Sequence, residues 1–163
     1  MGDDRDDRTG DKLAVGSAGI APVIVIHSLA HAVAALHAAQ QAGQPVTLAS
    51  APGAGIYAGP GWFGALIAEA CASMPTAAFV ALLDCADDPG AVQAAIRAGI
   101  AGIIFTGRAD IAERLADIAA QAGARLLTAR PDPALDLAGE FFAAQETLCR
   151  RCAEILASKA SFC

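Results

Sequence analysis

Short apolar runs alternate five times with Ala-rich stretches of helical spacing along this chain. A continuous apolar run between helical segments is typical of a parallel β-strand that is buried on both faces. The pattern therefore predicts five such strands, Val23–Ile26, Val46–Ala49, Phe79–Leu83, Ile103–Phe105 and Arg125–Thr128.

The segments between these runs carry apolar residues three and four positions apart, which predicts helices. Gly43 is a stop signal for the first helix, and Asp88, just before a proline, is a cap for the helix after the third strand. Asp110 is predicted to cap the next helix. The Gly/Pro-rich segment Ser50–Gly61 is predicted to be a loop, and a long final helix covers about Gly139 to Lys159.

Alternating strands and helices predict an α/β fold with a five-stranded parallel sheet and helices on both faces. Residues 13–163 are predicted to form this single domain, and the polar residues 1–12 are predicted to be a disordered tail. Two architectures fit, a flavodoxin-like open sheet and a partial (β/α) barrel with strands in sequential order. Both bind ligands at the carboxyl ends of the strands.

Composition narrows the range of partners. The chain has 163 residues and a net charge of -6, which argues against nucleic acid as a partner. Although 55% of the residues are hydrophobic, no apolar run reaches the roughly 20 residues of a membrane span, and no secretory signal is evident. We therefore predict a cytoplasmic protein that does not bind membranes. Its five cysteines are odd in number, and the Cys149/Cys152 pair is interpreted as helix packing.

Polar residues follow the predicted strands, where parallel order brings them to one edge of the sheet. His27 and Asp84 are predicted to form a catalytic base with its orienting carboxylate. Arg108 and Arg130 are predicted to clamp a phosphate or carboxylate. Alternatively, such residues simply end apolar strands where water begins. The predicted polar positions at this edge are His27, Ser28, Ser50, Asp84, Thr106, Arg108 and Arg130, and Gly107 is a further predicted ligand contact beside Thr106. No metal site and no cofactor are predicted.

The segment Gly53–Ala58 matches G-x-G-x-x-A after a strand, which is a pattern of dinucleotide-binding turns. Pro60 lies where the helix of that motif would already have begun, which favours a loop instead. Gly53, Gly55 and Tyr57 are kept as predicted ligand contacts. With Trp62, Tyr57 either forms a lid over an apolar or planar ligand or packs against a neighbouring subunit.

The run Pro22–Val33, the Met74-Pro75 pair before strand three, Ala95–Gly99 and Ile103–Gly107 together resemble the 2-keto-3-deoxy-6-phosphogluconate (KDPG) aldolase family over about residues 20 to 130. The resemblance implies a (β/α) barrel. Those aldolases use a Schiff-base lysine on the sixth strand and a glutamate on the second. Here the only lysines are Lys12 and Lys159, and the second strand has no glutamate, so class I aldolase chemistry is not expected.

Several functional hypotheses follow. The first is a small-molecule-binding domain, derived from an aldolase-like ancestor, that holds a small anionic ligand with Arg108, Arg130 and helix-terminal amides under the Ser50–Gly61 lid. The second is a non-catalytic homo-oligomer assembled through the wide apolar stripe of the last helix. The third is an enzyme that transfers protons with His27 and Asp84. A nucleotide-binding protein using Gly53–Ala58 is a further alternative.

Overall fold

The computed structural model describes residues 21–160, so the predicted tail lies outside the described residues. Strands and helices alternate as predicted over most of this range. The elements in chain order are β1 Val23–Ile26, α1 Leu29–Ala42, β2 Val46–Ser50, α2 Ala54–Tyr57, α3 Pro60–Ser73, β3 Phe79–Asp84, α4 Pro89–Arg97, β4 Gly102–Ile104, α5 Ala109–Gln121, β5 Arg125–Leu127, β6 Leu135–Asp136, a 3-10 turn Ala138–Glu140 and α6 Gln145–Ala160.

The sheet is parallel throughout, with strand order β5-β4-β3-β2-β1-β6. The α/β prediction is confirmed, but the predicted number of five strands is wrong. The missed strand, β6, is only two residues long and pairs with Ile24 and Val25 of β1. A flavodoxin-like sheet places β1 between β2 and β3, whereas here β1 lies between β2 and β6. From β1 to β5 the order is sequential, as in the predicted partial-barrel alternative, whereas β6 lies beside β1 at the other edge.

Within residues 21–160 the helices pack on one face of the sheet, and not on both faces as predicted. Buried residues of the long helices share one cluster with the side chains of one sheet face, including Ile24, Leu48 and Leu83. The cluster on the other face consists only of strand residues, with Val25 and Leu82 among them. The sequential order of β1 to β5 explains this arrangement, because right-handed crossovers that step in one direction place their helices on the same side.

Several helix ends follow the predicted signals. Gly43 ends α1 in the left-handed conformation with φ 62°, and the Asp88 side chain accepts hydrogen bonds from two amides at the start of α4. Ser28 caps α1 by accepting from the His31 amide. For α5 the prediction is wrong by two residues, because the cap position is Arg108 and Asp110 lies in the first turn.

The last helix begins at Gln145 rather than near Gly139, because a 3-10 turn occupies residues 138–140. α6 packs on α1, and its Leu148, Cys152 and Leu156 side chains are fully buried. Burial raises the pKa of the Cys152 thiol to about 12, so it remains protonated. Over residues 21–160 no helix is both long and apolar enough to cross a membrane.

Candidate functional site

Asp84 is the centre of a hydrogen-bonded group at the carboxyl ends of β2 and β3. Its Oδ1 accepts the amides of Gly53 at 2.9 Å and Ala86 at 2.8 Å, and its own amide donates to Ser50 Oγ at 2.9 Å. Arg130 donates to Asp84 Oδ2 at 2.5 Å and to the Ser50 carbonyl at 2.7 Å. The buried carboxylate therefore joins the ends of β2, β3 and β5 to the start of α2.

His27 has a different carboxylate partner from the predicted one. Its Nε2 lies 2.7 Å from Asp136 Oδ1, and that oxygen also accepts the Ala138 amide at 2.9 Å. Because a carboxylate only accepts hydrogen bonds, Nε2 of His27 is the donor of this bond, and in the neutral imidazole Nδ1 is then the acceptor nitrogen. Partial burial would raise the pKa of Asp136, but the hydrogen bonds from His27 and Ala138 outweigh it and lower the pKa below 3.8.

A second histidine, His31, fixes the backbone beneath His27. Its ring is fully buried, its Nδ1 accepts the His27 amide at 3.1 Å, and its Nε2 lies 3.4 Å from the Glu140 carbonyl. Burial lowers the pKa of His31 below its ordinary value of 6.5, and neighbouring His27 adds to this against the opposing effect of the Glu140 carbonyl. His31 is therefore neutral in the folded protein at neutral pH.

A cleft of about 320 Å³ opens beside His27, and we call it the aromatic cleft. The predicted lid residues Tyr57 and Trp62 lie along it, and Tyr57 is 69% exposed. The predicted loop Ser50–Gly61 is wrong in detail, because α2 and the start of α3 occupy much of it. The residues lining the cleft are Ile26, His27, Ala51, Ala54, Tyr57, Ala58, Trp62, Ala138 and Phe141.

The remaining predicted site residues lie apart from this cleft. Arg108 donates from two nitrogens to Asp110 at 3.1 and 3.0 Å, and its side chain is 77% exposed. Thr106 is exposed beside it, and Gly107 separates the two. Arg108 and Arg130 thus pair with different carboxylates, Asp110 and Asp84, instead of facing one shared anion site as predicted.

Sequence reasoning missed Asp136, which lies on the two-residue strand β6 and in no periodic pattern. No pattern in the sequence marks Asp136, because its contact with His27 depends on the pairing of β6 with β1. Within residues 21–160, no three His, Cys, Asp or Glu side chains come together as a potential metal site. The acidic loop after β3 is instead divided between the Arg130 ion pair and the cap of α4.

The buried neutral His31 predicts a pH dependence of stability. Its pKa is lower in the folded chain than in the unfolded chain, so the unfolded state binds the proton more readily. The contribution is fully present above about pH 6.5 and is lost as the pH falls below it. We expect the free energy of unfolding, measured by urea titration from about pH 8 to about pH 5, to fall by up to ~1.4 kcal/mol per pH unit for this proton.

His31→Gln should remove that part of the slope. His37→Gln is the matched control, because His37 lies on the same helix at a partly exposed position, and it should preserve the slope. A wild-type stability that stays flat between about pH 6.5 and pH 5 would contradict this account of His31.

No protein-family model matches this sequence, and neither does the sequence of any curated protein. Similarity is found among solved structures. A candidate fructose-1,6-bisphosphate aldolase from Coccidioides immitis is 20% identical, with a TM-score of 0.53 over 66% of this chain and 44% of its own. This similarity confirms, at the level of the fold, the resemblance to aldolase-like α/β proteins.

A second solved structure, a candidate tagatose-6-phosphate kinase from Sinorhizobium meliloti 1021, is 17% identical, with a TM-score of 0.47 over 88% of this chain and 47% of its own. The chain thus spans less than half the length of both proteins.

Proposed function

We propose that this protein binds a small hydroxylated carbonyl compound in the aromatic cleft. The observation that carries the proposal is the position of His27. This residue lines the cleft, and its Nε2 is hydrogen-bonded to Asp136. Ligand sites are typically apolar hollows with a few fixed polar groups. The cleft has this character at the carboxyl ends of parallel strands, where such folds bind ligands.

The lining sets the size and the character of the ligand. Tyr57, Trp62 and Phe141 offer aromatic surface that is partly exposed to solvent. Exposed aromatic residues grouped around one hollow are typical of binding surfaces. A volume of about 320 Å³ is near the lower end for ligand pockets, which run from about 300 to 1,000 Å³. A small ligand is therefore favoured.

The charged side chains around the cleft favour a ligand whose end near His27 is uncharged. Arg130, one of the two arginines of the proposed anion clamp, is already paired with Asp84 and lies close enough to Asp136 to lower its pKa. Arg108 is exposed at the start of α5, so we assign any phosphate or carboxylate of the ligand to Arg108. β4 and β1 are three strand spacings apart, about 14 Å, so only a ligand that extends beyond the cleft would reach Arg108.

The shared fold makes sugar compounds reasonable first probes, since the Coccidioides protein is described as an aldolase of a sugar bisphosphate. Nucleotide binding by Gly53–Ala58 has less support. The Gly53 amide that would approach a phosphate already donates to the Asp84 carboxylate. Assembly through the last helix also has less support, because Leu148 and Leu156 of its apolar stripe are buried within the chain.

The test uses Trp62, the only tryptophan of the chain, as a fluorescent probe in the cleft. Purified protein is titrated separately with hydroxyacetone, fructose and fructose 1,6-bisphosphate. We expect a saturable change in emission with hydroxyacetone or fructose. His27→Ala should weaken that binding about five- to tenfold, the effect of one lost hydrogen bond.

His37→Ala is the control, because this histidine of α1 does not line the cleft. It should bind as the wild type does. Tighter binding of fructose 1,6-bisphosphate than of fructose, lost in Arg108→Ala, would support the anion contact. The proposal is refuted if no compound changes the emission, or if His27→Ala and wild type bind equally.

A further inference from the structure

We infer that the aromatic cleft also catalyses proton transfer, with the His27 imidazole as general base toward small ketones that carry a C–H bond beside the carbonyl. The inference rests on the proposed function, because the ketone must first bind in the cleft. His27 thereby has a role in a reaction, in addition to its proposed contact with the ligand.

The geometry fixes both the tautomer and the orientation of this base. Nε2 carries the proton that is donated to Asp136, and Asp136 is itself held by the Ala138 amide. On the other side, the His27 amide donates to buried His31. In the neutral imidazole Nδ1 is therefore the acceptor nitrogen, on a ring that Asp136 orients and whose backbone His31 holds, and His27 lines the cleft. A catalytic base needs this arrangement, in which a third group orients it and fixes its tautomer.

The step balances without a co-reactant. Nδ1 of His27 takes the proton from the carbon beside the ketone carbonyl. The electron pair of that C–H bond forms the carbon–carbon double bond, and the carbonyl π electrons move to oxygen to give the enolate. Return of a proton from Nδ1 to carbon regenerates the ketone. In D₂O the Nδ1 proton exchanges with solvent, so each cycle replaces hydrogen by deuterium.

The rest of the lining suits a carbonyl group. Apart from His27, the side-chain hydrogen-bond donors of the cleft are the Tyr57 hydroxyl and the Trp62 indole N–H. Either is a neutral donor for the oxygen on which negative charge develops. The apolar remainder of the lining favours a ketone with a methyl or methylene group, and hydroxyacetone is the smallest hydroxylated example.

The test follows deuterium incorporation into hydroxyacetone by proton NMR at saturating ketone. We expect wild-type protein to exchange the protons of the hydroxymethyl carbon faster than buffer does. His27→Ala should lower the protein-dependent rate at least 100-fold, since general-base catalysis is typically worth 10² to 10⁴. His37→Ala should retain the wild-type rate.

Asp136 is a positioning residue, and its role has a spectroscopic test. In Asp136→Asn the amide is able to donate to Nε2 and thereby moves the ring proton to Nδ1. Long-range ¹H–¹⁵N NMR should show that change of tautomer, together with a lower exchange rate at saturating hydroxyacetone. Asp136→Glu should restore the wild-type tautomer. A wild-type tautomer in Asp136→Asn together with a wild-type exchange rate would overturn this role.

The outcomes separate this inference from the proposed function. Hydroxyacetone that binds without exchanging faster than in buffer overturns proton transfer and leaves the binding proposal intact. Equal exchange by wild type and His27→Ala also overturns it. A Trp62 response to fructose but not to hydroxyacetone overturns the ketone class named here. No response to any compound overturns both proposals.

Discussion

Replacing Asp84 with alanine should lower the free energy of unfolding by about 3–5 kcal/mol. The carboxylate is buried and forms an ion pair with Arg130, so its removal leaves a guanidinium beside the sheet without its partner. It also leaves the Gly53 and Ala86 amides without the acceptor they share. Urea unfolding followed by circular dichroism measures the change.

Asp87→Ala is the matched control, because Asp87 is an exposed acid in the same loop. Its effect should stay within about 0.5 kcal/mol. A loss below about 1 kcal/mol for Asp84→Ala would show that the ion pair and the two amide contacts do not hold the strand ends together. Loss of ligand binding by this variant would not identify Asp84 as a ligand contact, because its removal disturbs the fold.

Gly55→Ala should destabilise the protein by about 1–3 kcal/mol through overpacking. A Cβ at this position would lie 2.6 Å from Cys85 Sγ and 3.1 Å from the Asp84 carbonyl oxygen. The glycine thus lets α2 approach the end of β3, which is a packing role and not the phosphate approach that G-x-G-x-x-A suggested. Thermal or urea unfolding gives the measurement.

A double-mutant cycle tests the cause. In a Cys85→Ala background the sulfur is absent, so the cost of Gly55→Ala should fall by about 1 kcal/mol. Gly61→Ala is the control, because its Cβ meets nothing within 4 Å on helix α3. It should be neutral or stabilise by up to about 1 kcal/mol. Equal costs for Gly55→Ala in both backgrounds would argue against the sulfur contact.

Much of the fold follows from local patterns. Val23–Ile26 was predicted with its observed bounds, because a wholly apolar run has few alternatives in a chain of this length. β6 was missed because Leu135–Asp136 is too short for a period and becomes a strand only by pairing with β1. The strand order could not be predicted, because a hydrophobic pattern indicates that a strand is buried but not which strand lies beside it.

The location of the site residues could be predicted from the sequence. Which of their side chains pair with one another could not. Parallel order placed Ser50, Asp84 and Arg130 at one edge, and the structure brings them into one hydrogen-bonded group. The prediction that His27 pairs with Asp84 failed for the same reason that β6 was missed. Its partner, Asp136, comes from an element whose position depends on long-range contacts alone.

The pairing of Leu135 with Ile24 has a consequence for biosynthesis. β1 is made early, yet the strand that covers its outer side is translated more than a hundred residues later. Throughout that interval a nascent chain exposes the backbone donors and acceptors of β1, a template to which other chains add. Completion of the sheet therefore waits until Leu135 and Asp136 have left the ribosome.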